Sequence, residues 1–265
     1  MEKHIRTRFS PEKVLKNSTN TVREFGMELL YMSILLASSL LLFFFLVHSV
    51  IPEQRNMIDQ GAFLFLKPLI SKDHTWYAQV VTFFGTGTFL IPSYVFIVFY
   101  LIRNNYKKYG MLVSATVISS LLLGWILKPL FHRARPPYPL VTGAGGYSFP
   151  SGHALGGFIF SGVLLYLVWN TCKNIYLKWC SSLCFLLFGL MIGLSRIYLH
   201  VHYATDVMGS LLLTLAWFSF ICIVFRFIYK HEMHERELPE HASGPLPEDL
   251  GHYINKGLKT FSGRL

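Results

Sequence analysis

The 265-residue chain is 52% hydrophobic and 16% aromatic, with only 14% charged residues, against roughly 25% in an ordinary soluble domain. With a mean hydropathy of +0.43, this balance excludes an ordinary soluble enzyme and points to an integral membrane protein. The formal net charge is +10, but the basic residues cluster between apolar runs, where they set topology and meet anionic headgroups. There is no aromatic-interleaved basic patch outside those runs, so nucleic acid is not expected as a partner.

Residues 1–26 are polar and basic and are expected to form a cytoplasmic tail. The first apolar run after them is too long for the hydrophobic region of a cleaved signal peptide. Six windows are long enough to cross a bilayer: residues 29–51, 77–102, 109–127, 154–172, 179–195 and 207–225. A crossing needs about 20 apolar residues; the fifth window is short but extends on both sides. The run at residues 62–70 is too short, and its Lys67-Pro68 pair argues for an interfacial segment. The fold class is therefore all-α, a polytopic bundle of six transmembrane helices over residues 27–228 with short tails. The last stretch, residues 229–265, mixes Glu with Pro, Gly and Ser and reads as a weakly structured or partly helical cytoplasmic tail. Cys172, Cys180, Cys184 and Cys222 lie in or beside apolar runs without metal-ligand spacing; Cys180 and Cys184, one helical turn apart, read as small apolar fillers.

Basic residues orient the spans. Of the 24 lysines and arginines, 17 fall in the two tails and in the loops after the second and fourth windows. Both termini are thus expected in the cytoplasm of a cell (inner) membrane protein. The seven others are Arg55, Lys67, Lys72, Lys128, Arg133, Arg135 and Arg196, on the opposite, extracytoplasmic side. Three stretches emerge there together: "KPLFHRARP" at 128–136, "PSGH" at 150–153 and "SRIYLHVHYATD" at 195–206.

These stretches carry complementary chemistry. Lys128, Arg135 and Arg196 are three cations, and guanidinium forks match phosphate oxygens while lysine adds a point charge. "PSGH" stands directly before an apolar run, so its backbone amides belong to a helix N-terminus, which attracts anions. Gly152 permits close backbone approach, and Ser151 supplies a hydroxyl. His202 and Asp206 are four apart and would share one face of a helix. A carboxylate on one ring nitrogen fixes the tautomer and frees the other as a nucleophile or base. His200, two residues away, should point elsewhere. His153 remains as a second histidine, suited to protonating a leaving oxygen.

Lys, six residues, Arg-Pro; Pro-Ser-Gly-His; and Ser-Arg, five residues, His, three residues, Asp: this pattern resembles the three-part signature of the type 2 phosphatidic acid phosphatase superfamily, which shares its site with vanadium haloperoxidases. The resemblance implies an integral membrane lipid phosphatase. His202 would attack phosphorus to form a phosphohistidine, Asp206 would orient it, and His153 would protonate the leaving group and then activate water. Lys128, Arg135, Ser151, Gly152 and Arg196 would bind the phosphoryl oxygens. It implies no metal and no cofactor, and no carboxylate cluster suited to Mg²⁺ is visible in the sequence. Expected partners are the bilayer and a lipid phosphate of the phosphatidylglycerophosphate, phosphatidic acid or undecaprenyl diphosphate class. Transfer of the phosphoryl group to another lipid or sugar, and a non-catalytic membrane protein of the same fold, are the alternatives. A haloperoxidase is disfavoured by the six spans. His132 and Arg133 lie between signature positions and are assigned an interfacial, snorkelling role. The sequence leaves oligomeric state open.

Overall fold

A computed structural model describes the backbone of residues 11–50 and 57–237, and side chains within 26–50 and 57–228. Every regular element in those residues is helical: α1 (Pro11–Val50), α2 (Met57–Leu66) running into a 3₁₀ turn (Lys67–Leu69), α3 (Lys72–Phe83), α4 (Gly87–Arg103), α5 (Lys107–Phe131), α6 (Gly152–Thr171), α7 (Ile175–Tyr198) and α8 (Ala204–Glu237). Among the described residues, six stretches are long and apolar enough to cross a membrane: Gly26–Val50, Lys72–Arg103, Lys107–Phe131, Gly152–Thr171, Ile175–Tyr198 and Ala204–Ile228. α1 begins before the expected tail boundary and α8 runs past residue 228; the rest of the C-terminal tail lies outside the described residues. By compactness the chain divides into Met1–Ile223 and Val224–Leu265. All site residues and core clusters described below lie in the first unit.

Three helices, α3, α4 and α7, start where a polar side chain takes up free amides. Ser71 accepts from the His74 amide at 3.2 Å to open α3. Asn174 accepts from the amides of Tyr176 and Leu177 at 2.9 and 3.2 Å to open α7. The main core brings Phe43, Leu46 and Val50 of α1 against Leu90, Tyr94 and Leu101 of α4, Val113 of α5, Leu155, Ile159 and Val163 of α6, and Leu213 of α8. A second cluster joins Ala154 and Phe158 of α6 to Ile197 of α7 and Val207 of α8, with Ala62, Phe63 and Leu66 of α2 packed on it. Much of the remaining apolar surface is exposed, including Phe45, Phe96 and Trp125 at 72%, 69% and 78%. Such faces are costly in water and suit lipid, so this is a multi-pass membrane protein. At the end away from the site, Trp169 and Trp179 pack edge to face, with Lys178 over the Trp169 ring at 5.3 Å. Tryptophan and lysine together are typical of a membrane–water interface.

Two expectations change. The second window is not one helix: the chain breaks between α3 and α4 at Phe84–Thr86, where Thr86 caps α4 by accepting from Phe89. The break sits under the start of α6. A Cβ on Gly85 would lie 2.9 Å from the His153 carbonyl oxygen and 2.8 Å from Ile192 Cγ2, so only glycine allows that approach. Hydropathy averages over the break because the flanking residues are equally apolar. Second, His202 and Asp206 do not share a helix, because α8 begins at Ala204 and His202 lies in the turn before it. The segment at 62–70 forms the end of the short helix α2 and a turn, and is not among the stretches long enough to cross.

Candidate active site

The three stretches meet at one end of the bundle. The first follows α5, whose last turn holds Lys128 and whose C-cap, His132, takes a left-handed φ of 46°. That reversal turns the chain so that Arg133 and Arg135 run back over the helix ends. The second stretch closes onto the third: the Ser148 amide donates to the Arg133 carbonyl at 2.8 Å, and the Ser210 hydroxyl donates to the Ser151 carbonyl at 3.0 Å. Phe149, wholly buried, anchors this loop, with its ring 4.9 Å from that of Phe131 and 5.8 Å from that of Phe43. It also lies directly on α8 at Gly209, where an added Cβ would come within 2.5 Å of the ring.

His202 is 1% exposed, and its two ring nitrogens face different partners. Nδ1 is 3.4 Å from Asp206 Oδ2. Nε2 is 3.2 Å from Nη1 of Arg135. A guanidinium can only donate, so Nε2 is the accepting nitrogen and the proton belongs on Nδ1. Asp206 is held on both oxygens. Oδ2 accepts from the Ser148 hydroxyl and from the Tyr203 amide, the latter at 2.9 Å. Oδ1 accepts from Arg133 Nη1 at 2.5 Å. Burial in a poorly solvated pocket lowers the His202 pKa below its ordinary value; the hydrogen bond and charge of Asp206 oppose this, and Arg135 and Arg196 add to it. His202 is therefore neutral at neutral pH.

The cations surround that pair. Arg135 is oriented by loop carbonyls: its Nε donates to Gly146 at 3.0 Å, Nη2 to Gly145 at 2.9 Å and Nη1 to Val201 at 2.7 Å. Arg196, on the last turn of α7, is buried and donates from Nη1 to Thr82 at 2.8 Å. Lys128 reaches the start of α6, its Nζ 3.8 Å from where a Gly152 Cβ would be. His153, in the first turn of α6, lies within electrostatic range of Arg196, His202, Lys128 and Arg135. α6 begins at Gly152 with Ser151 as its cap, so the "PSGH" amides do form a helix N-terminus. The Ser151 hydroxyl and the Nε of Arg196 are buried without a hydrogen-bond partner; both are donors that a phosphoryl oxygen would satisfy. The structure thus brings Lys128, Arg135, Ser151, Gly152, His153, Arg196, His202 and Asp206 to one place.

His200 is not part of it. Its ring packs on Phe63 of α2 with centroids 4.5 Å apart. Arg133 overturns its assignment as a snorkelling residue. It is buried at 9% exposure and bridges two carboxylates, Asp206 at 2.5 Å and Asp59 at 2.7 Å. Its spacing in the motif carries no sign of this, because both partners are remote in sequence. Ser148, Thr82, Thr205 and Asp59 are also absent from the sequence reading. Asp59 carried a usable signal, a lone carboxylate in an apolar helical stretch, which is costly unless paired.

An all-helical membrane protein with an oriented histidine–carboxylate pair facing clustered cations at a helix N-terminus is the class that this fold and site define. Residues 109–230, which contain all three motifs, match the model of the PAP2 superfamily. Phosphatidylglycerophosphatase B of Bacillus subtilis (strain 168) is 27% identical over 190 residues, covering 69% of this chain and 91% of the relative. An undecaprenyl-diphosphatase of Sulfolobus acidocaldarius is 28% identical over 159 residues, covering 56% of this chain and 72% of the relative. The crystal structure of a transmembrane PAP2-type phosphatidylglycerolphosphate phosphatase from Bacillus subtilis superposes with a TM-score of 0.62, over 77% of this chain and 98% of that one, at 23% identity. The fold is shared.

Proposed function

We propose that this protein hydrolyses a phosphomonoester or diphosphate carried on a membrane lipid, through a phosphohistidine on His202. The observation that carries the reading is the division of the His202 ring, Nδ1 on Asp206 and Nε2 turned to Arg135. The Nε2 lone pair attacks phosphorus as the bond to the leaving oxygen breaks, and protonated His153 gives that oxygen its proton. The anionic substrate favours the protonated form of His153 by offsetting the surrounding cations. Asp206 stabilises the ring as it becomes cationic. His153, now neutral, takes a proton from water; the resulting oxygen bonds to phosphorus, and the P–N electron pair returns to Nε2. Lys128, Arg135, Arg196, the Ser151 hydroxyl and the α6 amides clamp the phosphoryl oxygens where charge develops. That clamp takes the part a metal plays elsewhere, so the reaction is expected to survive EDTA.

The site is read as extracytoplasmic, with cytoplasmic termini, because 17 of 24 basic residues lie toward the other side. The named relatives act on phosphatidylglycerophosphate or undecaprenyl diphosphate, and both belong in the test with phosphatidic acid. Detergent-purified protein should release inorganic phosphate from at least one of the three with EDTA present, and acid-labile, base-stable phosphate should be trapped on His202 by rapid quench. Absence of release from all three would refute the hydrolase reading.

A further inference from the structure

Asp59 lies in α2, outside the segment that matches the family. It is 3% exposed, yet each of its oxygens is bonded. Oδ2 accepts from Arg133 Nη2 at 2.7 Å. Oδ1 accepts from the Thr205 amide at 2.9 Å, and the Thr205 hydroxyl stands 2.9 Å from both oxygens. Arg133 Nη1 in turn reaches Thr205 Oγ1 at 2.7 Å and Asp206 Oδ1 at 2.5 Å. The guanidinium lies 4.2 Å over the Tyr203 ring. α2 is held down by apolar packing of Ala62, Phe63 and Leu66 on the cluster formed by α6, α7 and α8.

The arrangement has an electrostatic consequence. Arg133 is buried, and its partner Asp206 also lies within electrostatic range of Lys128 and Arg135. Unpaired, Arg133 would be expensive to bury and would draw fully on Asp206. Asp59 neutralises it, so the Asp206 charge stays available to His202 while Arg133 still prevents the carboxylate from rotating. We infer that Asp59 is a positioning residue, which acts through Arg133 to hold the Asp206 carboxylate against His202. The inference rests on the proposed nucleophilic role of His202. It assigns α2 a part in the reaction that the three motifs do not contain.

Asp59→Asn keeps the shape and removes the charge. Around His202 stand Asp206 from α8, Arg135 from the loop after α5, Arg196 from α7, His153 from α6 and Lys128 from α5. Losing a negative charge behind Arg133 makes that surrounding more positive, so His202 protonates at lower pH. Asp59→Asn should lower kcat about 10–100-fold, as for partners that orient a reactive group from behind, with KM within about twofold. The acidic limb of kcat should move to lower pH, which a smaller folded fraction would not cause. Thr205→Val should act in the same direction, and Thr205→Ser should restore the wild-type profile. Unchanged kcat and limb in folded Asp59→Asn would overturn the inference, as would a change in KM alone. If Asp59→Asn does not fold, Thr205→Val decides; if neither folds, Asp59 is a structural residue and the inference falls. A wild-type protein inactive on every lipid phosphate would sink the hydrolase reading first, whereas active wild type beside an equally active variant sinks only the role of Asp59.

Discussion

Nη1 of Arg135 stands 3.2 Å from Nε2 of His202, across the ring from Asp206. The contact fixes which nitrogen is free and places a cation where a phosphoryl group on Nε2 would carry its charge. His200, two residues earlier, has its ring against Phe63, and its Nε2 has no hydrogen-bond partner among the described residues. His202→Ala should therefore abolish phosphate release, by several orders of magnitude as expected when a nucleophile is lost. His200→Ala should retain most of it. Initial rates at saturating lipid would settle the matter, and a dead His200→Ala beside an active His202→Ala would reverse the assignment.

The pH dependence follows from the environment of His202. Burial lowers its pKa, with Asp206 pulling upward and Arg135 and Arg196 downward. The nucleophile is the neutral ring, so activity is lost as pH falls through the folded-state pKa. That pKa is below the ordinary value of about 6.5, so the acidic limb of kcat/KM, which reports the free enzyme, should lie below pH ~6.5. Asp206→Asn removes the upward pull. Its limb should shift further toward acid, while kcat falls sharply because the emerging imidazolium loses its counter-charge. A limb that shifts to higher pH in Asp206→Asn would contradict the arrangement.

The residues gathered at this end of the bundle were legible where the chemistry sits at fixed local spacing. Lys128 and Arg135, the "PSGH" run, and Arg196 with His202 and Asp206 each lie within about a dozen residues, beside long apolar windows. What was not legible depends on contacts between distant segments. Arg133 looks like a surface cation until Asp59, 74 positions away, is placed beside it. Ser148 reaches Asp206 across 58 positions. The α3–α4 break is hidden because hydropathy cannot see that Gly85 must pass under His153. The His202–Asp206 pair was foreseen for a different geometry, a shared helix face, and is made instead by a turn that feeds the first turn of α8.

Packing at Gly209 gives a prediction about stability rather than chemistry. A Cβ there would sit 2.5 and 2.6 Å from two ring atoms of Phe149, and Phe149 is clamped by Phe43 and Phe131. The ring cannot move aside without disturbing the "PSGH" loop. Gly209→Ala should cost about 1–3 kcal/mol, the usual range for overpacking, seen as a lower thermal midpoint in detergent. Phe149→Leu, which shortens the side chain, should make the double variant more stable than the sum of the single effects predicts. Strict additivity would place the cost elsewhere.

Vanadate probes the whole site at once. In the proposed reaction phosphorus passes through a five-coordinate state, with His202 Nε2 at one apex and the leaving oxygen at the other. Vanadate adopts that geometry readily, and a site complementary to the transition state binds such a mimic more tightly than substrate. The Arg135 and Arg196 guanidinia, the Lys128 ammonium and the α6 amides that would hold phosphoryl oxygens would hold vanadate oxygens in the same way. Inhibition should therefore be competitive with the lipid and effective well below ~1 mM, the upper end of ordinary KM values. Arg135→Ala or Arg196→Ala should weaken it by removing equatorial donors. Vanadate bound to His202→Ala, followed directly by ⁵¹V NMR because that variant is expected to be inactive, should be weaker still, since the apical nitrogen is gone. Tight vanadate binding that survives loss of His202 would favour attack by water with His202 as base, because only the nucleophilic route requires a bond from Nε2 to the central atom.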